Sequence, residues 1–285
     1  MVKILGKKLL AHGVKRLELE APEIARKARP GQFVVLRIHE EGERIPLTIA
    51  DARPDEGVLV IVFQEVGKST MLLGTLNEGD SIMDLIGPLG KPTEIERFGT
   101  VVCVAGGVGT PGIYPVARAL RQAGNRVIGI IGFRNRELIL MEDEMRRAVD
   151  ELIVCTDDGS NGNKGLVTDM LQRVIDRGEK IDRCFAVGPV IMMKMVSLLT
   201  KKHNIPTIVS LNPIMLDATG MCGVCRVEVD GETKFACVDG PEFDGHKVNF
   251  DLLMARLKTY VNEERQAVEL FRQAQTGCGC GRREA

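Results

Sequence analysis

Three cysteines and one aspartate, crowded into a short stretch, are the side chains of this 285-residue sequence best suited to chemistry. In LDATGMCGVC and the FACVDG that follows, they read Asp217-x4-Cys222-x2-Cys225-x11-Cys237. A plant-type [2Fe-2S] site uses C-x4-C-x2-C and a more distant cysteine, so three positions match and the first holds a carboxylate. Two irons bridged by two sulfides need four protein ligands. A carboxylate, a harder donor than a thiolate but of equal charge, can be the fourth. Gly220 and Gly223 free the backbone N–H groups of the segment to approach sulfides. C-x2-C is also a half-site for structural zinc, and that alternative stays open. Cys278 and Cys280 offer a second source of a fourth ligand, although C-x-C in a Gly-rich chain end reads more simply as exposed thiols. Cys103, Cys155 and Cys184 lie in apolar runs and read as buried, inert thiols.

A second chemical signal is AGGVGTPG. Gly107, Gly109 and Gly112 stand in G-x-G-x-x-G spacing between a strand-like run, GTVVCVAGG, and a helical one, GIYPVARALRQAG. Such glycines let the backbone come close to a pyrophosphate, which the following helix N-terminus favours electrostatically. Pro111, beside Thr110, suits the first helical turn because its missing N–H costs nothing there. The acidic residue that usually holds a ribose 2′-hydroxyl about 20 residues on is replaced by Gly132, Phe133 and Arg134. Arg134 would tolerate a 2′-phosphate, whereas Asp157 and Asp158 in TDDGS would repel one. The balance leans to NAD(H).

These groups must be carried on a frame. Residues 1–97 show short β-type segments separated by turn residues, the pattern of a small antiparallel barrel. Over residues 98–212 strand and helix alternate, predicting a doubly wound parallel sheet with helices on both faces. The cysteine segment occupies residues 213–247, and residues 248–285 form a C-terminal helix and a Gly/Cys tail. Phe250, Leu253, Leu257, Val261, Val268 and Phe271 fall on one face of a long helical run. The expected fold is thus a β barrel plus an α/β domain, with a small cluster segment and a C-terminal helix. Net charge −1, no Trp and no basic patch argue against nucleic acid. No apolar run suits a signal peptide or a membrane span, so a cytoplasmic protein is expected.

Two further motifs bring a family into view. RIPLTIAD (Arg44 to Asp51) resembles the R-x-P-x-[ST] flavin motif, and VGKSTMLLGTL (Val66 to Leu76) the Gly-x-x-[ST] pyrophosphate motif, of the ferredoxin–NADP reductase superfamily. With GGVGTPGIYP, GFRNREL, TDDGSNGNKG and AVGP, the likeness spans nearly the whole chain. It is strongest to the branch holding the electron-transfer subunits of dihydroorotate dehydrogenase and, closer still, the small subunits of NADH-dependent ferredoxin:NADP oxidoreductase. The resemblance implies that Arg44 binds FAD phosphates and that Pro46, Leu47 and Thr48 lie along the isoalloxazine, with Thr48 near its reactive edge. It implies that Gly67, Lys68, Ser69 and Thr70 hold the pyrophosphate, and it adds Gly188 and Pro189 of AVGP to the cofactor-binding set. The aromatic residue usual in the flavin motif is absent, with Pro46 in its place. Where dihydroorotate-type relatives have a cysteine, this chain has Asp217. The resemblance further implies a heterodimer with a larger flavin and iron–sulfur subunit, through which ferredoxin is reached indirectly. The rival expectations are an electron-transfer subunit of dihydroorotate dehydrogenase and a zinc-stabilised regulatory subunit.

Overall fold

The structure is a computed structural model describing residues 1–277; Cys278 and Cys280 lie outside the described residues. Seven strands build the first sheet: β1 (Val2–Ala11), β2 (Val14–Glu20), β3 (Phe33–Arg37), β4 (Arg44–Arg53), β5 (Val58–Gln64), β6 (Ser81–Ile82) and β7 (Asp84–Leu89). Their order, β6-β1-β2-β5-β4-β3-β7, is antiparallel throughout. Only Met83 separates β6 from β7 in the chain, so the two edges of the sheet adjoin and the barrel is nearly closed. Alternation decides which side chains face inward: Leu17 and Leu19 of β2 and Leu59 and Ile61 of β5 fill the barrel core with Ile4, Leu36 and Ile82.

Two short helices brace the barrel, α1 (Pro22–Lys27) and α2 (Lys68–Thr75). The C-terminal end of α2 is held by two lysines. Lys7 Nζ donates to the carbonyls of Gly74 (2.7 Å) and Leu76 (2.6 Å), and Lys15 Nζ also reaches Gly74 O at 2.8 Å. Cations there satisfy orphan carbonyls and oppose the negative end of the helix dipole, fixing the direction in which the α2 N-terminus points.

The second sheet contains β8 (Thr100–Gly106), β9 (Arg126–Phe133), β10 (Glu151–Thr156), β11 (Arg183–Val187) and β12 (Thr207–Ser210), all parallel, in the order β10-β9-β8-β11-β12. Helices α3 (Thr110–Gln122), α4 (Glu142–Ala148), α5 (Val167–Asp176) and α6 (Val190–Lys202) make the connections. Helices packed on both faces explain why β8, TVVCVAG, is apolar almost from end to end. The strand order reverses between β8 and β11, and a crevice at such a switch point, beyond the strand C-termini, is where open α/β sheets take ligands. Cys103, Cys155 and Cys184 are buried in this sheet. Desolvation pushes Cys155 up to about 11 and Cys184 up to about 12, so these thiols are neutral and inert, as the sequence suggests.

The cysteine segment folds as a hairpin, β13 (Arg226–Val229) with β14 (Glu232–Phe235), and then returns to the parallel sheet as β15 (Glu242–Asp244). β15 lies antiparallel on β12, pairing Ser210 with Glu242. The long helical run expected from residue 248 onward is two helices, α7 (Phe250–Leu257) and α8 (Val261–Gly277). Thr259 explains the break: its Oγ1 donates to Arg256 O at 2.7 Å, a local bond that competes with continuation of the helix.

Barrel and parallel sheet are tied by α3. Arg118 Nη2 reaches Asp51 Oδ1 of β4 at 2.7 Å, and its Nη1 reaches the Tyr114 hydroxyl at 3.2 Å.

Candidate functional site: a cavity between barrel and sheet, and a cysteine hairpin

A cavity of about 810 Å³ opens at the switch point. The barrel contributes Phe33 of β3, Pro46, Leu47 and Thr48 of β4, and Gln64; the sheet contributes Gly106 to Gly109, Phe133, Arg134, Asp157, Val187, Gly188 and Pro189. Register explains the barrel wall. Phe33 pairs with Thr48 and Val34 with Leu47, which brings the aromatic ring and the hydroxyl to the same rim.

The glycine turn is built by close approach. β8 ends at Gly106, a short 3-10 turn covers Gly107–Gly109, and α3 begins at Thr110 with Pro111 in its first turn. A Cβ on Gly109 would stand 2.1 Å from Val187 O, so only glycine lets the turn rest on the end of β11. Gly107 has φ +53°, and a Cβ there would meet nothing within 4 Å; its backbone faces open cavity, the cradle a phosphate needs. Gly112 is likewise confined, its would-be Cβ 3.2 Å from Val187 Cγ1 and 3.5 Å from Thr48 Cγ2. Thr110 and Pro111 are buried behind the turn rather than on the cavity wall. Thr110 Oγ1 has no hydrogen-bond partner among the described residues.

Arg134 and Asp157, two of the residues from which nucleotide choice is expected, both line the cavity and face one space. Asp158 does not join them. Its Oδ1 accepts from the Ser160 N–H (2.9 Å) and Ser160 Oγ (2.7 Å), bonds that hold its carboxyl below the usual carboxylate range. Ser160 Oγ in turn accepts from Arg136 N at 2.7 Å, stitching the loops after β9 and β10 together.

The expected phosphate-holding set stands outside this cavity. Arg44, Gly67, Lys68, Ser69 and Thr70 do not line the cavity. Thr70 Oγ1 accepts from the N–H groups of Gly67 (3.0 Å) and Val66 (3.1 Å), capping α2, and Ser69 Oγ donates to Glu43. Gly67, at the α2 N-terminus, has nothing within 4 Å of a would-be Cβ, so an open backbone face remains there.

Sequence reasoning missed Phe33, the Met192 and Met195 side chains of α6, and the Ser210 to Pro213 stretch at the C-terminal end of β12. Phe33 supplies an aromatic at the rim where the flavin motif lacks one. Its only signal is its place in a barrel strand that precedes RIPLT. That stretch could have been found from the rule that ligands gather at strand C-termini.

The cysteine site is assembled by the β13–β14 hairpin. Ala236 N donates to Cys225 O at 3.1 Å, and Cys225 Sγ and Cys237 Sγ stand 3.2 Å apart, both buried. Desolvation, with the Cys225 thiol second, pushes Cys237 up to about 12, against the pull of the Gly220 amide. A Cys237 thiol so enclosed ionises only with a metal cation to compensate it. Cys222 is exposed on the turn. Asp217 faces the loop backbone: its Oδ1 accepts from Thr219 N (2.9 Å) and its Oδ2 from Cys222 N (3.1 Å), and these bonds lower its proton affinity. Among the described residues no three His, Cys, Asp or Glu side chains converge as a ligand set. The residues nevertheless fit a metal group. Two thiols are paired, an amide already points at one of them, Ala218 and the glycines Gly220 and Gly223 shape the loop at positive φ, and each Asp217 oxygen keeps a lone pair beyond its amide bond.

Comparisons with known proteins agree with this geometry. Residues 212–249 match the iron–sulfur cluster binding domain of dihydroorotate dehydrogenase B. The chain is 50% identical, over 94% of both sequences, to a dihydroorotate dehydrogenase B (NAD(+)) electron transfer subunit homolog of Thermotoga maritima. It is 33% identical to the electron transfer subunit itself from Desulforamulus reducens, covering 86% of this chain and 96% of that one. The chain belongs to the family of dihydroorotate dehydrogenase B electron transfer subunits and their homologs. Within reach of that family stands a solved NADH-dependent reduced ferredoxin–NADP oxidoreductase, studied for flavin-based electron bifurcation. One of its chains superposes with TM-score 0.90 at 48% identity, covering 95% of this chain and 98% of that one. Among the described residues no helix is long and apolar enough to cross a membrane.

Proposed function

We propose that this chain is the small subunit of a heterodimeric, electron-bifurcating NADH-dependent ferredoxin:NADP oxidoreductase, carrying FAD and a [2Fe-2S] cluster and exchanging hydride with NAD(H). The observation that carries the reading is the cavity shared by the flavin-motif residues Pro46, Leu47 and Thr48 and by both strand-end turns, Gly107–Gly109 and Gly188–Pro189. A partner subunit with a further flavin and clusters would complete bifurcation and reach ferredoxin, so this chain alone should pass electrons without bifurcating them.

FAD and NAD(H) supply hydride exchange, and the cluster one-electron transfer. The protein's part is binding and orientation. Gly107 and Gly109 admit a pyrophosphate to the α3 N-terminus. Thr48, whose methyl would lie 3.5 Å from a Cβ on Gly112 at the start of α3, offers its hydroxyl as a hydrogen-bonding neighbour of the flavin and not as a proton donor. Phe33, paired with Thr48, excludes water from the same rim. Arg44 and Lys68, whose side chains make no hydrogen bond or ion pair among the described residues, remain available to FAD phosphates, as does the open backbone at Gly67. Ser69 and Thr70 would reach a phosphate only by releasing Glu43 and the α2 cap. No general base is required.

The deciding experiment is a visible and EPR spectrum of the anaerobically purified protein with and without NADH. Bleaching of a flavin band with a [2Fe-2S] signal is the expected result; a colourless, iron-free protein defeats the reading and returns the zinc alternative.

Asp217, Cys222, Cys225 and Cys237 are the proposed cluster ligands. Asp217→Ala should lose most of its iron and its cluster absorption, whereas Cys278→Ser keeps both; metal analysis showing the reverse pattern removes Asp217 from the set. Asp217 also separates this reading from the dihydroorotate alternative, and pull-down of the native partner subunit distinguishes the two.

Nucleotide choice is assigned to Asp157. Asp157→Asn should gain about tenfold in NADPH over NADH preference, the worth of ~1.4 kcal/mol of relieved like-charge repulsion across a partly solvated cavity. Unchanged kcat/KM ratios for the two nucleotides would place the discriminating charge elsewhere.

A further inference from the structure

Glu242 takes no part in the machinery above. It opens β15, paired with Ser210 across the sheet edge, and Thr93 Oγ1, from the segment leading out of the barrel, donates to its Oε1 at 2.7 Å. Gly31 separates this pair from the cavity. It lines the cavity, and a Cβ on it would stand 2.2 Å from Thr93 Oγ1 and 3.0 Å from Glu242 Oε1. Ser210 and Pro241, the strand partner and chain neighbour of Glu242, line the cavity as well. The carboxyl therefore sits one residue layer behind the wall, where barrel, parallel sheet and cysteine segment meet.

No cation answers it: among the described residues Glu242 has no ion pair. The groups around it are Thr93, the Cys103 thiol of β8, and Asp244 on its own strand. Arg183, four residues before the Val187 that aligns with Ser210, is committed to Glu94 at 2.9 Å, and Lys91 gives Gly240 O only its backbone N–H, at 2.6 Å. Cys103 is itself pushed well above the usual thiol range, chiefly by desolvation, and stays neutral. Desolvation pushes the Glu242 carboxyl up to about 7, against the opposing pull of the Thr93 hydroxyl. A carboxyl poised in this way responds to any new charge across Gly31, because a negative charge that close favours its protonated form.

We propose that Glu242 compensates charge in the cavity: when a cofactor held there is reduced, the Glu242 carboxylate takes one proton from solvent and returns it on reoxidation. The inference rests on FAD occupying the cavity. Electrons come from NADH or dithionite, the proton comes from solvent, and the one bond formed at this residue is the O–H of the carboxylic acid. Glu242 touches no reacting atom; it acts through the wall, on the energy of adding negative charge inside.

The test uses the full-length, flavin-loaded protein in three forms: unaltered, Glu242→Gln and Thr93→Val. Flavin midpoint potential is followed between about pH 5.5 and 8.5, with reduced-minus-oxidised infrared spectra at each pH. The unaltered protein should show an inflection near pH 7 and a carboxylic-acid carbonyl band appearing on reduction. Both should vanish in Glu242→Gln. In Thr93→Val the inflection should move to higher pH, because the hydroxyl that favours the carboxylate is gone. Identical potential–pH curves and infrared spectra in the unaltered protein and Glu242→Gln overturn the proposal, as does an inflection that Thr93→Val leaves in place. Failure of the unaltered protein to hold flavin overturns the reading of the cavity itself, and the proposal with it.

Discussion

Gly109→Ala is expected to melt about 5–10 °C below the unaltered protein and to lose NADH-dependent reduction. A Cβ at this position would stand 2.1 Å from Val187 O, 2.6 Å from Val187 C and 2.9 Å from Gly188 Cα. All three are backbone atoms at the end of a central strand, so no flexible side chain can yield. Either the glycine turn lifts from β11 or the β11–α6 connection shifts, and overpacking of this kind costs ~1–3 kcal/mol. For a chain of this size each kcal/mol corresponds to roughly 2–4 °C. The displaced turn is also the proposed pyrophosphate cradle, so binding and stability should fail together.

Gly107→Ala is the control. Its Cβ would meet nothing within 4 Å, and its only cost is a φ of +53°, ~1–2 kcal/mol for an L-residue. It should melt closer to the unaltered protein while still narrowing the cavity it lines. Equal melting temperatures for Gly109→Ala and the unaltered protein, measured by calorimetry, would refute the close-approach account of the turn.

This pair also shows what the sequence makes legible. G-x-G-x-x-G after an apolar run and before a helix announces a strand–turn–helix, because backbone geometry restricts the turn to glycine. The same logic covers RIPLT: an alternating strand beside Phe33 puts Pro46 and Thr48 on one face, toward the cavity, and turns Leu47 between them onto the barrel core. Side-chain partnerships across the fold are different. That Thr70 caps α2, that Glu43 holds Ser69 and that Asp158 turns onto Ser160 depend on choices between equally polar neighbours, which spacing does not encode. Asp217 is the sharpest case. D-x4-C-x2-C gives its position, but not that its oxygens accept from the amides of Thr219 and Cys222, an arrangement that shapes the cysteine turn whether or not the carboxylate also ligates iron. The break between α7 and α8 is hidden for a similar reason, since one threonine hydroxyl interrupts an apolar pattern that continues through it. Glu242 is invisible altogether. A glutamate in GPEFDG reads as a surface charge until β15 is found paired to β12, with Gly31 packed over its carboxyl.

Glu242 also sets the second large expectation, a stability that falls as pH rises. In the folded protein its carboxyl is pushed up to about 7 by desolvation, above the ordinary 4.5 of an exposed glutamate. Between those two values the folded chain keeps a proton that the unfolded chain has released. Unfolding is therefore favoured by each step up in pH, by at most ~1.4 kcal/mol per pH unit. Below the window both states are protonated and above it both are ionised, so the contribution is flat outside it. Glu242→Gln keeps an acceptor for Thr93 and removes the titration. Its stability relative to the unaltered protein should rise by ~2–3 kcal/mol from about pH 4.5 to pH 7.5. The comparison must be made as a difference between the two proteins, because Asp158, Asp182, Asp217 and Asp230 have lowered proton affinities and act in the opposite sense in acid. Urea unfolding of both proteins across this range gives the difference directly. A flat difference curve would mean that the carboxyl is solvated and ionised throughout, which would remove the physical basis for linking Glu242 to charge in the cavity.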